Sequence, residues 1–440
     1  MSFLAGFAEV DYTPAPGLAV IGQHHKRIAE RTRDPLMANA VAMRSGDETV
    51  VIVSNDICMV LPDFVAATQE SFAERTGLPA EKLLIHATHS HVAPATISGF
   101  WGDMDPGFMD ALQDSIVSAA QTALERMEPV APFSGTGTLD NLNWNRMSMY
   151  DDGTSVMHGS ADKPGFIGTE GARDPNVGVI FFRSIRDRNA PDDQGKILGV
   201  IANFGTHPNC VENELYYSAD IPGEVRRLLK ATLGSDTGVV YLTGAAGNVA
   251  SVIRESGRTE QPWMGEQGLL RSGLYLTGEI SKTIAQAIEP IESPSLSVKR
   301  TVLQIPIRPY PAPGDKCYPN SWGGESETFY RECEADWPRK MREESPVEIR
   351  VNVVRIGDTV ICTNPGELYS EFALEIREAA PARVTLISQL TDGFCGYIPT
   401  PMAFTRGGYT TWPCITSKLS PEAGDMIVQA TKETLAAEHV

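Results

Sequence analysis

Three histidines stand just after apolar segments typical of buried strands, an arrangement suited to holding a metal ion. His89 and His91 follow the apolar run 82–85, and His207 follows the run 197–201. In an extended strand, side chains at positions i and i+2 share a face, so this spacing predicts that His89 and His91 project together, with Cα atoms ~6.5 Å apart. Either both imidazoles bind a zinc-like ion, or one binds it and the other assists catalysis beside it. For any one of them alone, the plainer alternative is a core histidine whose ring nitrogens are hydrogen-bonded. A metal site is favoured because all three follow predicted strands.

Length, composition and charge narrow the class of protein. The chain has 440 residues, of which 42% are hydrophobic and 21% charged. It is therefore long enough to bury a large core in one to three domains. The formal net charge of −19 argues against binding to nucleic acid and against unaided docking on anionic lipid, since both demand a basic surface. We expect a small molecule or a neutral surface as the partner.

The amino terminus and the cysteines predict a cytoplasmic location. Residues 1–8 are apolar, but Glu9 and Asp11 follow and no basic residue precedes Lys26, which is not typical of a signal peptide. No apolar run approaches the length of a membrane span. Seven cysteines without a C-x-x-C pair fit a reducing compartment better than a disulfide framework. Cys210 is either a soft metal ligand or, more simply, a small buried apolar residue.

The elements that must position these side chains alternate between strands and helices. Short apolar runs predict strands, and helical periodicity lies between them, which indicates an α/β fold with a layered mixed β-sheet flanked by helices. No repeat or linker divides the chain, so we predict one domain over residues 1–440. Two segments, 133–175 and 309–346, have no clear periodicity and are expected to be irregular insertions. The second segment carries Trp322, Tyr330 and Trp337. It is either a lid or rim over a pocket or a surface excursion with its own small hydrophobic anchor.

Further polar clusters are predicted where strands give way to loops, where α/β proteins build their sites. They are Asn145-Arg146, the segment 244–248, Pro365-Gly366-Glu367, and a glycine-rich stretch with Tyr397 and Tyr409. Glu367 has a plain alternative as a first-turn acid favoured by the helix dipole. For the two tyrosines, the plain alternative is a role as packing residues. No G-x-S-x-G elbow, Walker loop or H-E-x-x-H helix is present.

The order of these motifs resembles the neutral (non-lysosomal) ceramidase family. The resemblance covers nearly the whole chain as a series of short motifs. These are Val10-Asp11-Tyr12-Thr13-Pro14, Asp34-Pro35-Leu36, Thr88-His89-Ser90-His91, Asn145-Arg146, Thr206-His207-Pro208, Gly247-Asn248-Val249, Pro365-Gly366-Glu367-Leu368 and Gly396-Tyr397.

The resemblance implies a set of site residues and a reaction. In that family one zinc ion is held by two histidines, a glutamate and a tyrosine, and an N-acyl sphingoid amide is hydrolysed by metal-activated water. Carried over to this sequence, the zinc ligands are His89, His207, Glu367 and Tyr397. The catalytic positions are His91, Arg146 and Tyr409, the last lying twelve residues after Tyr397.

Two departures from the family pattern bear on the substrate. The family usually has Gly-Asp-Val-Ser-Pro where this chain has Gly247-Asn248-Val249-Ala250-Ser251. The chain also ends soon after the last motif, where the lipid-acting members carry a further β domain. We therefore predict a zinc-dependent amide hydrolase for a soluble acyl substrate smaller than ceramide, although a lipid-like acyl substrate is the family's own. The alternatives are the same chemistry on an ester or lactone, and a metal-binding protein with little turnover.

Overall fold

The computed structural model of the chain describes residues 2–99, 101–157, 159–185, 195–253, 262–320 and 325–437. The strands of three or more residues in these ranges are β1 (Leu4–Asp11), β2 (Met37–Ser45), β3 (Glu48–Asn55), β4 (Leu83–Ala87), β5 (Glu128–Thr138), β6 (Met147–Tyr150), β7 (Ser155–Met157), β8 (Phe166–Thr169), β9 (Asn176–Ser184), β10 (Ile197–Phe204), β11 (Gly238–Thr243), β12 (Leu296–Ile305), β13 (Val347–Ile356), β14 (Thr359–Thr363) and β15 (Val384–Ser388). The α-helices are α1 (Pro62–Thr76), α2 (Pro106–Glu125), α3 (Asp220–Leu233), α4 (Gly265–Gln286), α5 (Glu325–Glu343), α6 (Ser370–Ala379), α7 (Pro401–Arg406) and α8 (Ala423–Ala436).

Two mixed sheets pack face to face, and helices cover the outer face of each. The larger sheet has the strand order β11-β10-β9-β5-β1-β2-β3-β4, in which β10 and β11 are parallel, as are β3 and β4. The smaller sheet has the order β12-β13-β14-β15, in which β14 and β15 are parallel. Helices α1 to α4 pack on the larger sheet, and α6 and α8 pack on the smaller one. The predicted α/β fold with a layered mixed sheet is confirmed.

Period-two alternation in β3 shows why the sheets are buried on both faces. Val50 and Ile52 point into the core between the two sheets, whereas Val51 and Val53 point into the core under the helices. All four are at most 2% exposed. Burying a side chain of this size stabilises the fold by roughly 1.5–3 kcal/mol, so a strand that is apolar at every position requires a cover on each face.

Phe182 in β9 lies in the core between the two sheets, and its replacement tests how much that core contributes to stability. Its ring is fully buried and lies 6.2 Å from the ring centroid of Phe3 and 5.7 Å from that of Phe7. Phe182→Ala should lower the free energy of unfolding by ~3–5 kcal/mol, because it removes buried area and leaves a cavity in a close-packed interface. Urea unfolding measures the change. Val302→Ala is the control, since that side chain is 49% exposed and its loss should be nearly neutral; equal effects of the two variants would contradict the assigned core.

The two segments predicted as irregular contain regular structure, and the prediction is wrong there. Segment 133–175 holds the second half of β5 and a three-stranded antiparallel sheet of order β7-β6-β8. These strands are short and rich in Ser, Gly and Met, so they show no apolar alternation. Segment 309–346 holds helix α5, which contains Pro338 and many charged residues that obscure a helical period. Trp322 lies outside the described residues, while Tyr330 and Trp337 are buried anchors.

The edge strands of the larger sheet, β4 and β11, come together where the candidate site lies. The Thr243 amide donates to Nε2 of His86 at 3.0 Å, and the Thr243 hydroxyl donates to the Thr88 carbonyl at 2.8 Å. Within the described ranges, no helix is both long and apolar enough to span a membrane.

Candidate metal centre

The four predicted metal ligands lie in segments that follow four strands, two from each sheet. His89 lies two residues after β4, and His207 lies three residues after β10. Glu367 and Tyr397 follow β14 and β15, and they are direct partners in a pair of two-residue parallel strands, Glu367–Leu368 and Tyr397–Ile398. The structure therefore brings together residues that are up to 308 positions apart in the sequence, 89 to 397.

The spacing of His89 and His91 predicts that they share one face of a strand, but in the structure they do not. Strand β4 ends at Ala87, and His89 has a φ of 72°, the left-handed region that is uncommon for a residue with a side chain. The backbone turns at His89, and the two imidazoles meet edge to face with ring centroids 4.9 Å apart. The predicted convergence is found, but a turn produces it.

The Nε2 atoms of the three imidazoles and one carboxylate oxygen surround a common point. Nε2 of His89 lies 3.1 Å from Nε2 of His207 and 3.3 Å from Nε2 of His91. Oε2 of Glu367 lies 3.2 Å from Nε2 of His89 and 3.4 Å from Nε2 of His207. Of these four residues, His89, His207 and Glu367 form a group whose ligand atoms all lie within 4.8 Å of one another, a spacing that could hold a metal ion.

Hydrogen bonds at the opposite ring nitrogen fix how each imidazole presents Nε2. The Nδ1–H of His89 donates to the Cys58 carbonyl at 2.9 Å, and that of His207 donates to the Ala246 carbonyl at 2.7 Å. A carbonyl can only accept, so the Nδ1 proton is specified and Nε2 is the nitrogen that faces the group. Histidines that bind metals are oriented in this way by a partner on the other nitrogen.

This donor set fits a cation. Two Nε2 lone pairs face each other at 3.1 Å, and Oε2 of Glu367, buried among them, has no hydrogen-bond donor of suitable geometry. Lone pairs and a carboxylate in contact repel unless a proton or a metal ion lies between them. Two neutral imidazoles and a carboxylate are donors that zinc takes.

The electrostatics of the metal-free protein place a proton there. Burial alone would raise the pKa of Glu367, yet the neighbouring His89 and His207 hold it well below its usual range. Burial alone would lower the pKa of His89, yet Cys58 and Glu367 raise it well above its ordinary value. For His207, burial and the nearby Arg146 both lower the pKa, so this imidazole is neutral. A metal ion bound at this point would displace the His89 proton.

The remaining predicted residues line one side of the group. Arg146 is buried, and its Nη2 lies 2.9 Å from Nε2 of His207 and donates to the Gly247 carbonyl at 3.0 Å and to the Tyr397 hydroxyl at 3.4 Å. The Tyr397 and Tyr409 hydroxyls are 3.2 Å apart. Burial raises the pKa of both phenols more than the Arg146 guanidinium lowers it, so in the metal-free protein both carry their protons.

A cavity of about 560 Å³ opens onto this group. Its described walls combine polar side chains, Gln23 and Asn213 among them, with apolar ones such as Met59, Trp101 and Met157. The volume suits a small organic ligand. The prediction that segment 309–346 rims the pocket is wrong for the described residues, because none of the lining residues comes from it.

Two further residues contact the histidines and were not predicted from the sequence. Cys58 accepts from His89 through its carbonyl, and its Sγ lies 3.5 Å from the same Nδ1. Glu212 lies 3.0 Å from Nδ1 of His91. Neither belongs to a motif, and only the fold brings them to the site. Cys210 does not join the group: its Sγ contacts the Ser251 hydroxyl at 3.3 Å, and it is a buried core residue.

Comparisons with known proteins bear on the fold. No family model matches the chain. The neutral ceramidase of Pseudomonas aeruginosa is 28% identical over 137 residues, which are 30% of this chain and 18% of that protein, so the match spans less than a fifth of the relative. The crystal structure of neutral ceramidase from Pseudomonas aeruginosa superposes with a TM-score of 0.75 at 17% identity, covering 100% of this chain and 74% of that one. A ceramidase complexed with C2 gives a TM-score of 0.75 at 16% identity, covering 100% and 75%. The chain therefore has a neutral ceramidase-like fold, as the order of its motifs predicts.

Proposed function

We propose that the chain is a zinc-dependent hydrolase that cleaves the amide bond of an N-acyl substrate at the candidate metal centre. The observation that carries the proposal is the convergence of the ligand atoms of His89, His207 and Glu367, of which His89 and Glu367 line the cavity. The likeness to neutral ceramidase in fold, together with the short sequence match, supports the choice of an acyl amide.

Zinc would be held by His89, His207 and Glu367, with Tyr397 as the fourth ligand. Tyr397 is beside Glu367 in the strand pair, and its hydroxyl lies 3.4 Å from Nη2 of Arg146, which also contacts Nε2 of His207. When bound, zinc acts as a Lewis acid and lowers the pKa of water from ~15.7 towards ~7.

The protein's own residues would supply proton transfer and orientation. His91 lines the cavity beside His89 and would carry a proton to the leaving nitrogen of the amide, since an amine leaves poorly unless it is protonated. Arg146 and Tyr409 also line the cavity and carry donors that would hold the substrate carbonyl oxygen as negative charge develops on it.

The cavity volume bears on acyl length. A volume of about 560 Å³ lies within the usual range for one small organic ligand, ~300–1,000 Å³. Both tails of a long-chain ceramide would not fit inside it. We therefore expect short acyl amides to be cleaved better than long-chain ceramides.

The test combines metal analysis with a substrate panel. Protein purified without chelator should contain about one equivalent of zinc, and removing the zinc should abolish hydrolysis, because water alone is a weak nucleophile at neutral pH. The panel holds acyl amides of short and long chain, long-chain ceramide in detergent, esters and lactones, each measured as kcat/KM before and after chelation.

Each other outcome overturns a specific part of the proposal. Full activity in chelator without any transition metal excludes a metal hydrolase. Turnover of esters or lactones alone replaces the amide with those substrates. One tightly bound metal with no turnover on any member of the panel favours a metal-binding protein. Equal kcat/KM for a long-chain ceramide and the best short amide contradicts the expected acyl length.

A further inference from the structure

The imidazole of His91 is held by residues from two segments distant in the sequence. Its Nδ1 lies 3.0 Å from Oε2 of Glu212, which follows His207 in the loop after β10. A carboxylate only accepts, so the proton between them belongs to Nδ1 of His91. Its Nε2 points the other way, to Nε2 of His89 at 3.3 Å.

Arg27 fixes the two backbone segments that carry this pair. One buried guanidinium donates to the Glu212 carbonyl at 2.6 Å, to the His91 carbonyl at 2.7 Å and to the Ile21 carbonyl at 3.0 Å. Residues 91 and 212 are thereby held at a set separation by a group that itself lies outside the cavity lining. The contact between the two side chains is therefore built into the fold.

Gly22 closes the remaining side of the imidazole. Its φ is 116°, and a Cβ added there would lie 2.6 Å from Cγ and 2.7 Å from Cβ of His91. Only glycine avoids both the backbone strain and this overlap. The backbone at Gly22 therefore packs against the Cβ and Cγ of His91, and the hydrogen-bond partners of the ring nitrogens remain Glu212 at Nδ1 and His89 at Nε2.

We propose that Glu212 is the positioning residue of His91, whose carboxylate keeps the ring proton on Nδ1 so that Nε2 is free to take up and release the proton of the reaction. The proposal rests on the proposed hydrolase function for its consequence, but the position of the ring proton is testable without turnover. The same division of roles holds wherever a carboxylate orients a catalytic histidine and stabilises its imidazolium form.

The alternative is an ordinary ion pair at the mouth of the cavity, where the Glu212 side chain is 19% exposed. Pairs of this kind contribute little to stability. If Glu212 has only that role, its removal should leave kcat unchanged. The two roles predict different effects on the ring proton and on kcat.

The experiment compares Glu212→Gln and Glu212→Ala with Glu214→Gln in the full chain loaded with zinc. Glu214 lies in the same loop, is absent from the cavity lining, and gives the same change in charge on substitution. ¹⁵N NMR of histidine-labelled protein assigns the ring proton of His91, with the signal identified by its loss in His91→Asn. Zinc content, thermal unfolding, kcat and KM are measured on the same samples.

In the parent protein and in Glu214→Gln, the proton should reside on Nδ1 of His91. In Glu212→Ala it should be distributed over both nitrogens, and in Glu212→Gln partly so, because an amide can accept from Nδ1–H or donate to Nδ1. We expect kcat to fall ~10–100-fold in both variants, the usual cost of losing a partner that orients a functional histidine, with KM and zinc content unchanged.

A ring proton that stays on Nδ1 in Glu212→Ala, or a kcat equal to that of Glu214→Gln, would overturn the proposal. If Glu212→Ala does not fold, the isosteric Glu212→Gln decides the question. If no substrate is turned over, the proposed function fails, and the NMR result alone still decides whether Glu212 sets the ring proton.

Discussion

His207→Ala should leave the protein folded but unable to retain zinc, with the bound metal falling from about one equivalent to a trace after dialysis. The reason is the position of His207 at the centre of the group. Its Nε2 is 3.1 Å from that of His89 and 3.4 Å from Oε2 of Glu367, and it is fully buried. Removing a residue that only hydrogen-bonds to a metal ligand typically lowers metal affinity by ~10–100-fold. Removing the ligand itself should therefore lower zinc affinity by more than ~100-fold. Metal analysis and competition with a chromogenic chelator measure it.

His25→Ala is the matched control for this variant. His25 also lines the cavity, but it is exposed and does not belong to either group of residues that could hold a metal ion. The control should keep its zinc. Retention of zinc by His207→Ala at the affinity of the parent protein would show that the metal lies elsewhere, for which Cys58, His89 and His91 form the other candidate group.

Much of the fold follows from local periodicity in the sequence, and β3 illustrates how. Residues 50–53 are apolar at every position, which predicts a strand buried on both faces, and the structure buries alternate residues in two different cores. Helix α5 illustrates the limit. Its charges and Pro338 hide the helical period, and its anchors are supplied by distant contacts, such as Trp337 donating to the Arg308 carbonyl at 2.8 Å. The pairing of the two sheets involves strands far apart in the chain, which no local pattern encodes.

The candidate site likewise has residues that the sequence identifies and residues that only the fold reveals. Motif order identifies His89, His207, Glu367 and Tyr397. In the structure His89, Glu367 and Tyr397 line one cavity, and His207 contacts His89 and Glu367. Motif order does not identify Glu212, because the contact with His91 spans 121 residues and depends on how the loops after β4 and β10 meet. Nor does spacing reveal the turn at His89, since an i, i+2 pair is compatible with a strand and with a loop.

His91→Ala should keep about one equivalent of zinc and lose turnover by ~100-fold or more, the contribution of a general acid or base. The contrast with His207→Ala follows from the geometry. His91 is not in the group formed by His89, His207 and Glu367, and its Nδ1 is paired with Glu212. Removing it therefore leaves the proposed ligands in place but takes away the group that would protonate the leaving amine. Zinc content, thermal unfolding, kcat and KM on the best amide of the panel distinguish the two roles.

The leaving group provides a sharper form of the same test. If His91 protonates the departing nitrogen, His91→Ala should impair amides of basic amines most and activated esters least, since a phenolate departs without a proton. Glu214→Gln is again the control, because it should leave both rates unchanged. An equal loss on amides and activated esters would place the role of His91 in activating water instead. Loss of zinc from His91→Ala would make His91 a ligand, because its Nε2 lies only 3.3 Å from that of His89.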